Sequence, residues 1–152
     1  MTKQRTLVAP LVARILMSAI FLSTGIAKFA DWSGTAAYMQ SNGLPAVPVL
    51  LTAAAMIEIV GGLCLLLGLQ ARTAAMVLVL YLIPVTVVFH GFWSYTGMDR
   101  MIQTVNFMKN LAIMGGLCHV FAFGPGRISL DDRVRGEPRE ARPPLPAEPQ
   151  EA

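Results

Sequence analysis

The chain has 152 residues, of which 55% are hydrophobic and 14% charged, with a formal net charge of +3 and a mean hydropathy of +0.57. An ordinary soluble domain carries about 25% charged residues, so this composition excludes that class and describes a small integral membrane protein whose first partner is the lipid bilayer. A separate catalytic domain of the usual ~100 to 150 residues has no room beside the apolar runs, and the basic balance does not point to nucleic acid, because most Lys and Arg lie where membrane topology accounts for them.

Residues 7–29 are apolar apart from Arg14 and Lys28 and form the first expected span. Ile15 to Ala27 has the length of a signal-peptide core, but Arg14 and the continuing Lys28-Phe29 fit a cleaved signal poorly. Ala30 to Ala46 carries the turn signals Asn42-Gly43 and Pro45 with the interfacial aromatics Trp32 and Tyr38, and reads as a loop with room for a short surface helix. Residues 47–69 form the second span. After the tight link Gln70-Ala71-Arg72 comes a third at 73–90, in which Pro84 bends the helix without ending it. His90 to Arg100 is an aromatic, glycine-containing loop, and 104–123 is the fourth span, stopped by Gly124-Pro125-Gly126. From Arg127 onward the chain is charged and proline-rich. The expected architecture is an all-α membrane four-helix bundle over residues 1–132 and a disordered cytoplasmic tail over 133–152. Lys3, Arg5, Arg72, Arg127, Arg133 and Arg135 outweigh Lys28 and Arg100, which places both termini in the cytoplasm.

Within the second span sits one carboxylate, Glu58, about 16 Å from either end at a helical rise of about 1.5 Å per residue. A charge at that depth costs roughly 2.5 to 3.5 kcal/mol on insertion scales, so it faces protein or a cavity and takes a partner. Ala54, Ala55, Gly61 and Gly62 share its face, where a second helix can come close. Arg14, Ser18, Phe21, Gly25 and Lys28 form one stripe down the first span. Arg14 and Lys28 each read either as pairing groups or as side chains reaching to an interface. Gln103, Asn106, Lys109 and Asn110 occupy one arc of about 120° on the fourth span, and a Lys109 to Glu58 pair is the expectation that follows. The alternatives for Glu58 are a ligand or proton site and a structural ion pair. His90 ends the third span and reads as a proton carrier or a hydrogen-bonded interface residue, while Asn106 and Asn110 could equally be interhelical bridges. Cys64 and Cys118 read as packing residues, and the sequence carries no zinc motif or haem-type histidine pair.

The ordered set Arg14 with Gly25-Ile26-Ala27-Lys28-Phe29, Glu58-Ile59-Val60-Gly61-Gly62 with Gly68, His90-Gly91-Phe92-Trp93, and Asn106-Phe107-Met108-Lys109-Asn110 with Gly115-Gly116 resembles the DoxX family of small bacterial membrane proteins. That resemblance implies a multi-pass protein of the bacterial inner membrane. Related members are membrane subunits of quinone-reducing sulfur oxidoreductases, and others associate with oxidative-stress enzymes. Carried onto this chain, it implies a quinone-linked, redox-associated role centred on Glu58, His90 and Lys109, with Arg14, Lys28, Asn106 and Asn110 as ligand-binding residues and quinone as a non-covalent cofactor. The chain would then be a subunit that needs a partner redox protein, not a complete enzyme. A non-catalytic membrane scaffold is the rival reading and a small transporter the third. Homo-oligomerisation is left open.

Overall fold

The computed structural model describes residues 2–134, and the expected disordered tail lies almost wholly outside them. Six α-helices follow in chain order: α1 Thr2–Ala30, α2 Trp32–Ser41, α3 Val47–Leu67, α4 Ala71–Phe89, α5 Gly97–Phe123 and the short α6 Leu130–Val134, with a single 3-10 turn at Phe92–Ser94. Among the described residues there is no strand. By length and composition α1, α3 and α4 are apolar enough to cross a membrane. α5 matches them in length, but its first half carries Asp99, Arg100, Gln103, Asn106, Lys109 and Asn110.

The loop expected between the first two spans contains a full helix, α2, whose first turn is held by the Asp31 carboxylate accepting from Gly34 N at 3.1 Å. The third span runs through Pro84 without a break. α3 and α4 each start from a left-handed residue, Ala46 at φ 48° and Gln70 at φ 45°. A non-glycine residue in that region is strained by about 1 to 2 kcal/mol, so something must hold it.

At Gln70 the holder comes from beyond α5. Asp131 accepts from Gln70 N at 2.7 Å and from Ala71 N at 3.0 Å, while its own N donates to Gly68 O at 2.9 Å. The segment around Ser129 and Asp131 is therefore part of the fold and caps α4.

α1 packs along α3, α3 along α4, and α4 along α5, with α2 laid over one end of α3. Two close approaches set this geometry. A Cβ at Gly25 of α1 would lie 2.7 Å from Ile59 Cγ1 and 3.2 Å from Glu58 Cβ, and one at Gly61 of α3 would lie 2.9 Å from Leu78 Cγ on α4. Small residues thus bring two helices, α1 and α4, against the middle of α3, as van der Waals packing in lipid requires. The core runs through Phe21, Leu65, Leu78, Leu82 and Leu117, and a second cluster of Met39, Val47 and Leu51 pins α2 to the start of α3. Many other apolar side chains, such as Leu16, Val49, Leu80 and Met108, point outward as a lipid-facing surface does.

Asp131→Ala should lower unfolding stability by about 1 to 2 kcal/mol, the loss of a helix cap with a strained residue beneath it. Thermal unfolding in detergent measures this, and a midpoint equal to wild type would contradict the capping role.

Candidate functional site

Glu58 lies on the inward face of α3 and is 5% exposed. Lys28 Nζ donates to its Oε2 at 2.7 Å and Tyr81 Oη donates to its Oε1 at 2.7 Å. One carboxylate thereby ties α1, α3 and α4 together. The backbone explains the pairing: Gly25 seats α1 directly on Glu58, and Lys28, one turn further along, is within reach of the carboxylate.

The expected Lys109 partner is replaced by Lys28, and the reason is angular. Asn110 Nδ2 donates to Thr86 Oγ1 at 3.0 Å, His90 Nδ1 meets Gln103 Oε1 at 2.8 Å, and Leu117 is fully buried, so the inward arc of α5 centres on residues 103, 110 and 117. Lys109, one residue before Asn110, is about 100° away from that centre, and it is exposed. The same contacts set its level. Asn110 stands beside Thr86 and Gln103 beside His90, which leaves Lys109 between about 3 and 9 Å inside the end of α4. Its stem is long enough to bring the ammonium to the interface.

α1 ends at Ala30, about 8 Å beyond the level of Gly25, whereas α3 reaches Val47, about 16 Å beyond Glu58. The difference leaves a space roofed by α2. It is a cavity of about 610 Å³ with Glu58, Lys28 and Tyr81 at its base, His90 on its wall, and Ala54, Ile57, Val85 and Val88 among its apolar lining. Volume and lining, mostly apolar with a few convergent polar groups, are those of a small-molecule site. Tyr38 of α2 stacks on Phe89 of α4 at 5.5 Å between ring centroids, closing the rim between the two helices. Partial burial, together with Tyr95, holds the Tyr38 phenol above its ordinary range, so it stands there as a neutral donor.

Of the seven residues singled out from sequence, the structure brings Lys28, Glu58 and His90 to one cavity. Asn110 bridges α5 to Thr86 outside it, and Asn106 is half-buried on α5 without lining it. Arg14 is at the other end of the bundle. There it is 2% exposed, donates from Nη2 to Ile128 O and packs on Gly68, whose φ of 65° and lack of a Cβ make room for Arg14 Nη1. Sequence reasoning missed Tyr81. The available signal was its position in mid-span, where a phenol needs a hydrogen-bond partner.

The DoxX family model matches residues 9–91, a stretch that contains Gly25, Lys28, Glu58, Tyr81 and His90. The chain belongs to the DoxX family. It is 33% identical over 123 residues to the inner membrane protein YphA of Escherichia coli, an alignment covering 81% of this chain and 88% of that one. To the inner membrane protein YqjF of the same organism it is 34% identical over 124 residues, covering 82% and 90%. An uncharacterized membrane protein of Mycobacterium tuberculosis, Rv3486, is 32% identical over 133 residues, covering 80% and 78%. No solved structure matches the chain. With its apolar helices, this DoxX protein is a multi-pass protein of the bacterial inner membrane.

Lys28→Met leaves the Glu58 carboxylate buried against Tyr81 alone and should cost about 3 to 5 kcal/mol, the usual penalty for breaking a buried pair. The double replacement of Lys28 and Glu58 by Met should recover most of that loss, while Lys109→Ala should stay within about 0.5 kcal/mol of wild type. Thermal unfolding of the four proteins in one detergent decides it. A large loss in Lys109→Ala would contradict the assignment of Lys28 as the partner.

Proposed function

We propose that this DoxX protein is the membrane subunit of a quinone-linked redox system and binds a quinone-type headgroup in the cavity between α2 and Glu58. The observation that carries the reading is the placement of Lys28, Glu58, Tyr81 and His90 around one largely apolar space beside the membrane-length helices. With both termini cytoplasmic and α5 as a fourth span, that space opens in the outer half of the bilayer, where a hydrophobic ligand arrives by diffusion in lipid.

The residues fit such a group. Lys28 keeps an N–H beyond the one on Glu58 with which to hold a headgroup oxygen. Val85, Val88 and Ile57 supply apolar wall for a ring and the start of a tail. Bound quinone supplies two-electron, two-proton chemistry. Glu58 and His90, with Asp31 further out on the wall, are side chains able to hold and release protons at the cavity, and the electrons come from a partner redox protein.

A second reading is favoured by one feature of the same site. Both Glu58 oxygens already have partners, as a device that only fixes helix packing in a scaffold would require.

Quinone analogues separate the two. At about 100 times its dissociation constant, a short-chain analogue should stabilise the purified protein by about 2.7 kcal/mol. Tyr38→Phe, which removes a rim donor without touching the Lys28 to Glu58 pair, should reduce that shift. Absence of any shift, together with absence of quinone from protein purified out of native membrane, would leave the scaffold reading in its place.

A further inference from the structure

The groups around the cavity differ in what they can still donate and accept. Glu58 accepts a hydrogen bond from Lys28 on Oε2 and one from Tyr81 on Oε1. A carboxylate offers about four lone-pair positions, so about two stay available on the wall that Glu58 lines. Tyr81 directs its only O–H at Glu58, and its oxygen remains an acceptor.

His90 Nδ1 lies 2.8 Å from Gln103 Oε1. In the tautomer that donates from Nδ1 to this amide oxygen, Nε2 keeps a lone pair. Asp31, also on the wall, is a further acceptor. The hydroxyls of Thr24 and Thr35 donate to backbone carbonyls of their own helices and keep acceptor capacity only. Against these stand two donors. Lys28 has one N–H left after Glu58 and the long 3.5 Å contact to Thr24 O, and Tyr38 has its phenol at the α2 rim.

A cavity with this surplus of acceptors is complementary to a ligand that brings hydrogens. We infer that it takes the dihydroxy form of a quinone-type headgroup, the hydroquinone, more tightly than the dicarbonyl form. The inference rests on the reading of the cavity as a quinone-type site and adds which redox form it favours. A dicarbonyl headgroup presents acceptors to acceptors and finds only Lys28 and Tyr38 to meet it. A hydroquinone delivers two O–H donors, which can reach Glu58, the Tyr81 oxygen or His90 Nε2. A site built around a ligand O–H penalises the analogue lacking it, because the site's own polar groups are then left unpaired.

The full chain in detergent tests this with one short-chain benzoquinone and its hydroquinone, the latter kept reduced under nitrogen. Binding is followed by thermal shift at pH 8, where an ordinary imidazole is neutral. The hydroquinone should bind at least tenfold tighter. Glu58→Gln exchanges one acceptor oxygen for an amide donor and should bring the ratio toward unity. His90→Phe alters a partly exposed position, keeps an aromatic ring and removes Nε2, and should lower the ratio severalfold even where Glu58→Gln fails to fold. Equal or tighter binding of the benzoquinone by wild type overturns the preference and leaves the quinone-site reading standing. A preference undiminished in every variant that folds overturns it too. If neither form binds, both readings fall together.

Discussion

A single buried carboxylate sets the terms for this molecule. Glu58 sits where ionisation is costly, and the rest of the bundle is arranged so that the cost is met by two donors from two other helices. That requirement explains why α1 carries glycine at residue 25, because any larger side chain would push α1 off α3 and draw Lys28 away from its partner. It also explains a phenol in the middle of α4, where a hydrocarbon side chain would pack as well but leave one carboxylate oxygen without a donor. Removing either partner therefore strikes at the packing of three helices at once.

The two ends of the bundle are built on opposite plans. At the α2 end, α1 stops short and leaves space that α2 roofs without filling. At the other end the chain returns after α5 to seal the α3 to α4 link. Asp131 caps the strained start of α4, and Arg14 reaches from α1 to the backbone at Ile128. One end keeps a space beneath α2, and the other is sealed by the returning chain. Function is accordingly sought at the first, and the charged residues of the second are accounted for by closure.

Much of this was legible in the chain. The membrane class, the all-helical architecture, the C-terminal ends of the four long helices to within two residues and the small-residue face around Glu58 follow from hydropathy, turn residues and helical periodicity, whereas α5 begins seven residues before the expected span. Those are local properties, and each helix carries them independently of its neighbours. Three of the seven site residues share one cavity. Lys28 was legible only as a member of a stripe, since periodicity gives the angle of a side chain about its own axis and nothing about which neighbour it meets.

The failures have the same origin. Lys109 and Asn110 are adjacent on one arc, and the sequence does not say that α5 turns Asn110 inward and Lys109 out. Asp131 lies in the charged stretch after Gly124-Pro125-Gly126, and nothing in that stretch says that its carboxylate meets the backbone nitrogens of Gln70 and Ala71. By itself the sequence determined that a charge would be buried in a membrane-length helix and that it must be satisfied, because desolvation leaves no alternative. Which groups satisfy it, and that doing so leaves a cavity beside it, was decided only by the tertiary structure, through the relative depth and rotation of helices that no single helix encodes.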